Sequence, residues 1–192
     1  PQTNFKVGYF IHKKYNISFG VDHMKYVVPQ GQEVTINGNI DVNGSNYNKP
    51  YQNETIELTP NFLKFEHTDG LNYVNVEINR FDNLARLFDD KFPIDINFTE
   101  GIGIGALYPK TNARLMNFEQ HDDFNVAGFG LNAKIGLDIT FFNHFFFRLE
   151  GKAGYINMPN IRTTQLKTDK ASQQFFFLQR NLLFGGVFTI GK

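Results

Sequence analysis

The stretch from Phe124 to Gly151, FNVAGFGLNAKIGLDITFFNHFFFRLEG, decides the fold. From Ala127 to Phe141 every second residue is apolar: Ala127, Phe129, Leu131, Ala133, Ile135, Leu137, Ile139 and Phe141. Between them stand Gly128, Gly130, Asn132, Lys134, Gly136, Asp138 and Thr140. A period of two is the mark of a β-strand, whose successive side chains point to opposite faces of a sheet. One face here is apolar, and the other carries glycine and charge. Which of the two meets water separates a soluble barrel from one that lies in lipid.

The same period extends outward through most of the chain. It predicts strands over residues 5–12, 17–28, 62–81 (kinked at 67–70), 94–108, 127–141, 145–158 and 173–192. Tight turns are expected at 13–16 and near Asn143, and long polar loops over 29–60, 109–123 and 159–172. Within the first loop, EVTING and ETIEL can pair as a hairpin. The segment FDNLARLFDDKF (81–92) predicts a short amphipathic helix. Asp82 would cap it, Leu84, Leu87 and Phe88 would share a face, and Pro93 would end it. Glu100 falls on the apolar side of its strand, which a bulge would explain.

Bulk properties exclude several classes. The 192 residues suit one domain, spanning 1–192, and the net charge of zero gives no field for nucleic acid. Without cysteine there is no disulfide framework and no thiolate chemistry. No apolar run approaches the roughly 20 residues of a spanning helix. The mean hydropathy of −0.34 suits a soluble protein and a membrane β-barrel equally, because alternating strands average out.

Three features favour the apolar face outward. Glycines 101, 103, 105, 128, 130 and 136 crowd the polar faces; a solvated face gains nothing from them, whereas a narrow interior needs small residues beside large charged ones. The strands are longer than the roughly 9–11 residues of a bilayer crossing. Aromatic residues gather at strand ends: Phe141, Phe142 and Phe145 to Phe147 at one end, Tyr108 and Tyr155 at the other, as interfacial belts do. The expected fold is therefore all-β: an antiparallel up-and-down transmembrane β-barrel of about eight strands with long outer loops. Phe129, Leu131, Ile135, Leu137 and Ile139 would face lipid, and Asn132, Lys134, Asp138 and Thr140 the lumen. Arg180, by parity, faces outward at the outer rim, or inward if a bulge intervenes. Seven alternating strands leave the first and last parallel, so one N-terminal strand is expected beyond the given sequence.

The segments VDHMKYVV, FEHTDGLNYVNVE, GIGIGALYPKTN, FNVAGFGLNAKIGLDITFF and KAGYINMPNIRT followed by FFFLQ resemble the small outer-membrane β-barrel proteins of Gram-negative bacteria, most closely an uncharacterised group of them. They are spread over most of the chain. The resemblance implies the fold, a place in the bacterial outer membrane, and outer-membrane lipid, lipopolysaccharide and other outer-membrane proteins as partners. It implies no cofactor and no reaction. Such barrels usually end on an aromatic residue, and FTIGK departs from that pattern.

Acid–histidine pairs are the one catalytic-looking feature. Asp22-His23 and Glu66-His67 with Asp69 fall on neighbouring predicted strands and form a candidate rim cluster for a divalent ion, or a base oriented by a carboxylate. The competing reading is a hydrogen-bonded network around a turn. His121-Asp122-Asp123 reads as a solvated loop. No nucleophile elbow, phosphate loop or metalloprotease helix is present. Barrels that trim or transfer acyl chains on lipid A use a histidine with a nearby serine and carboxylate; beside His67 stand Thr68 and Asp69, which does not meet that pattern. Inward parity places Glu77, Asp95, Lys134, Asp138, Arg148, Glu150 and Lys152 in the lumen as a mutually paired charge network. The expectation is a non-enzymatic barrel with a plugged lumen. A lipid A-modifying enzyme and a narrow pore are the alternatives.

Overall fold

A computed structural model describes residues 3–87, 93–116, 118 and 120–189. The chain is all-β and antiparallel. In order, the strands are β1 (Thr3–His12), β2 (Tyr15–Val27), β3 (Glu33–Ile40), β4 (Lys49–Glu57), β5 (Leu63–Leu87), β6 (Ile94–Leu107), β7 (Lys110–Leu115), β8 (His121–Phe124), β9 (Gly128–Phe141), β10 (Phe145–Arg162) and β11 (Lys170–Gly186). The main sheet follows the order β1-β2-β5-β6-β9-β10-β11, each strand antiparallel to the next. The two ends, β1 and β11, run the same way and do not pair with each other.

Connections alternate in length. Lys13 and Lys14 alone join β1 to β2, with His12 opposite Tyr15. Phe142 and Asn143 turn β9 into β10 with φ of 54° and 58°, and His144 N donates to Phe141 O at 3.0 Å. Two central residues at positive φ make this a type I′ turn, whose twist suits a hairpin. At the other end the loops carry structure of their own. β3 and β4 form a separate two-stranded sheet. Val34, Ile36, Ile40 and Ile56 pack there around Leu58, Phe62 and Met116. β7 and β8 pair as a hairpin laid along the upper part of β5, so the expected loop at 109–123 is largely strand.

Two local expectations are corrected. Residues 81–87 are not helical: β5 continues to Leu87, paired with β6 through a bulge between Asn83 and Ala85. A ready ladder on β6 satisfies those backbone groups, and tertiary pairing overrides local periodicity. The rest of the expected helix, 88–92, lies outside the described residues. Glu100 sits in no bulge: it pairs squarely with Arg80 and Ile135 and faces outward, 3.6 Å from Arg80.

The sheet curls so that side chains from distant strands meet across its concave side. Lys6 on β1 reaches Glu150 on β10, and Lys152 on β10 reaches Asp22 on β2. The glycines make that curl fit. A Cβ on Gly103 would stand 2.6 Å from Glu77 Cγ and 2.8 Å from Asn132 Nδ2; one on Gly130 would stand 2.8 Å from the Tyr73 ring.

Candidate functional site

The concave side has two layers. The lower one is ionic, and successive inward residues build it: Lys6 from β1, Asp22 from β2, Glu77 from β5, Lys134 from β9, and Glu150 and Lys152 from β10. Lys152 Nζ donates to Glu77 Oε1 at 2.8 Å and also binds Asp22. Lys134 Nζ lies 2.6 Å from Glu77 Oε2 and 3.0 Å from Glu150 Oε2. Lys6 Nζ donates to Glu77 Oε2 at 2.9 Å. Three cations thus face three carboxylates, and Lys152, Glu77 and Asp22 have no exposed side-chain surface. Asn75 donates to Asp22, and Asn181 to Glu150, extending the network sideways. In a poorly hydrated interior an unpartnered charge is costly, so balance of sign is what permits this burial.

Arg148 and Asp138 form a separate pair below. The guanidinium donates through Nε and Nη2 to Asp138 Oδ2 at 3.0 and 2.8 Å, and Thr140 Oγ1 donates to Asp138 Oδ1. The Phe81 and Phe146 rings lie 5.0 Å from the same guanidinium. Asp95 joins neither group: it accepts from Asn83 Nδ2 at 3.3 Å and lies 3.9 Å from Arg86.

Above the ionic layer the concave side becomes apolar. Met24, Leu71, Leu107, Ile156, Met158 and Ile161 are buried together, with Phe65, Phe175 and Phe177 packed against them. Tyr73 lies at the boundary. Its ring belongs to the apolar cluster, while its hydroxyl donates to Gly130 O at 3.0 Å and accepts from Asn132 Nδ2 at 2.9 Å.

The convex side changes in the opposite sense along the same strands. On β2 it runs Ile17, Phe19, Val21, then His23 and Lys25; on β5, Ile78, Val76, Val74, then Asn72. On β11 it runs Leu182, Arg180, Leu178, Phe176, then Gln174 and Ser172, so one charge interrupts the apolar run. On β9 Phe129, Leu131, Ile135 and Leu137 are exposed and Ile139 is half-buried, while Asn132, Lys134 and Asp138 are buried. Below the boundary inward residues are mostly polar and outward ones mostly apolar, Glu100 and Arg180 being outward charges; above it, on β2, β5 and β11, inward residues are apolar and outward ones largely polar.

The acid–histidine residues do not converge. Asp22 belongs to the ionic layer, whereas its neighbour His23 points outward to Asn72 Oδ1, 2.8 Å away. Glu66 pairs with Lys64 and accepts from Asn112. Asp69 accepts from Lys110 at 2.7 Å, which holds its carboxyl below the usual range. His67 is fully buried above the apolar outer band, between the Tyr26 and Phe65 rings. Its Nδ1 lies 3.2 Å from Thr111 Oγ1, its Nε2 has no partner, and burial lowers its pKa to about 4. Thr111 is equally buried. Among the described residues no three histidine or acidic groups are placed to hold a metal ion.

Lys6 escaped the sequence reading. Its signal was present, because it alternates with outward Phe5 and Val7 on β1. Neither a family model, nor a curated protein, nor a solved structure matches the chain.

Proposed function

We propose that this chain forms the wall of a bacterial outer-membrane β-barrel with a plugged interior, a non-enzymatic protein that works through its outer loops and rim. The observation that carries the reading is the polarity reversal along β2, β5 and β11. Water on both sides gives no reason for an ionic core beneath an apolar one. A lipid band around the lower part gives one, since apolar residues then belong outside and the charges must pair within.

Exposed aromatic residues fit the same frame. Phe142, Phe145, Phe147 and Phe184 lie toward the short turns. The Tyr155–Phe176 and Tyr108–Phe124 pairs lie toward the long loops. Phe145 and Tyr155 are ten residues apart on β10, about 34 Å along the strand and about 26 Å along an axis tilted by roughly 40°, against an apolar band of about 25 Å.

The paired charges and the apolar layer above them favour a plug over a pore. The lipid A-modifying alternative draws only on the His67–Thr111 contact, and both of those side chains are buried away from any substrate. Reconstitution into planar bilayers tests the proposal: the protein inserts without steady conductance. Regular conductance steps from the unaltered chain would overturn it.

A further inference from the structure

Glu100 is an outward carboxylate in an otherwise apolar run. On β6 it stands between Phe98 and Ile102, with Ile96 and Ile104 beyond them. Its ion pair with Arg80 Nη1 on β5 spans 3.6 Å, beyond a hydrogen bond. Arg80 is engaged elsewhere. Its Nε lies 2.8 Å from Asp82 Oδ2, and its Nη2 donates to Asp82 Oδ1 at 3.2 Å. Lys14 Nζ donates to the same carboxylate at 2.9 Å. Two cations therefore share Asp82, and Glu100 is left beside them. The patch is neutral as a whole but divided in sign, with surplus positive charge at Lys14 and Arg80 and negative charge at Glu100.

These charges border a groove of about 450 Å³ on the convex side. Tyr15, Arg80 and Glu100 line it at one level, paired across β2, β5 and β6. Two residues further toward the long loops its floor is Ile78, Ile102 and Ala133. Ala133 is the smallest of these side chains and keeps the floor low between Ile102, Leu131 and Ile135, all exposed. The polar level adjoins the short turn at Lys13 and Lys14, where Phe81 N donates to Lys14 O at 2.8 Å. One end of the groove thus meets the lower boundary of the band, and the other lies among apolar side chains within it.

We propose that this groove seats one phospholipid whose head carries both a phosphate and a primary amine, with the phosphate against Arg80 and Lys14, the ammonium against Glu100, and an acyl chain over Ile78, Ile102 and Ala133. The inference rests on the barrel reading above. Charge complementarity selects the occupant. A guanidinium suits a phosphate, and a primary ammonium donates charge-assisted hydrogen bonds to a carboxylate. A purely anionic head leaves Glu100 repelled and without a donor. A choline head has no N–H to give it. Glu100 lies where lipid displaces water, so a cation at its own depth offsets its desolvation.

Native mass spectrometry of the 192-residue chain in detergent micelles tests this. The probes are phosphatidylethanolamine, its N-methylated series up to phosphatidylcholine, and phosphatidylglycerol, all with the same acyl chains. One phosphatidylethanolamine is expected to bind roughly tenfold or more tightly than phosphatidylcholine or phosphatidylglycerol, the worth of one hydrogen bond to a charged group. Retention falls with each added methyl group, Glu100→Gln removes the preference, and Ala133→Phe fills the floor and releases the lipid. Equal retention of the three lipids, tighter binding of phosphatidylglycerol, a preference that survives Glu100→Gln, or displacement by soluble phosphoethanolamine would overturn the proposal. Protease protection of the chain in lipid vesicles is measured in parallel. Retained protection with no lipid preference rejects the lipid site alone, whereas lost protection rejects the barrel reading.

Discussion

Lys152 on β10 donates to Glu77 on β5 at 2.8 Å across the concave side, and neither side chain is exposed. The two residues are not neighbours in the sheet: β6 and β9 lie between their strands. The contact therefore ties opposite walls of the curled sheet together. Lys152→Ala leaves Asp22 and Glu77 with one cation fewer in a dry interior, and breaking a buried pair in this way costs about 3–5 kcal/mol. Chemical unfolding in detergent micelles should show a loss of that size. The exposed Lys49→Ala, on the β3–β4 sheet, should change stability by less than about 0.5 kcal/mol.

Tyr73 joins the two layers, and its hydroxyl serves both Gly130 O and Asn132 Nδ2. Tyr73→Phe keeps the ring and leaves both groups without this partner. The expected cost is about 1–3 kcal/mol, read as a lower unfolding midpoint with an unchanged denaturant slope.

Much of this arrangement was legible, because a strand reports its two faces at fixed spacing. The inward places of Glu77, Lys134, Asp138, Glu150 and Lys152 follow from counting by two. The same counting, taken strictly, would have dissolved the rim cluster. Asp22 and His23 are adjacent, as are Glu66 and His67, and adjacent strand residues point to opposite faces. The apolar upper layer was missed for a different reason. Ile156 and Met158 continue the inward parity of Glu150 and Lys152, and alternation does not say where along a strand the inward residues turn from polar to apolar. The helix expected from 81 to 92 failed over 81–87 because Leu84 and Leu87 fit a helical face as readily as a bulged strand, and the ladder to β6 decided between them.

His67 gives a pH signature. Its pKa falls from an ordinary 6.5 to about 4 because burial disfavours the charged imidazolium. The folded chain therefore keeps it neutral while the unfolded chain takes up a proton below pH 6.5. Its contribution to stability is intact above pH 6.5 and is lost as pH falls toward 4, by about 3 kcal/mol in all. The hydrogen-exchange protection factors of the β5–β7 ladder, with the intrinsic exchange rate at each pH divided out, should fall over that interval, and His67→Gln should flatten the dependence.

The outward face has its own test. Leu137 is exposed opposite Phe98 and Leu149, inside the apolar band. Leu137→Arg should cost about 2–4 kcal/mol in a bilayer if it lies near the midplane. Gln174→Arg, on the polar part of β11, should cost little. Refolding yield into lipid vesicles at graded urea separates the two.

The central claim is that lipid surrounds the lower, apolar part of the convex face and water the upper part. Nitroxide labels at Leu149→Cys and Gln174→Cys in lipid vesicles test it most directly, with relaxation by dissolved oxygen compared with relaxation by a water-soluble nickel chelate. The account predicts that the label at 149 is relaxed by oxygen and shielded from nickel, while the label at 174 is relaxed by nickel. Strong relaxation of both labels by nickel would contradict it.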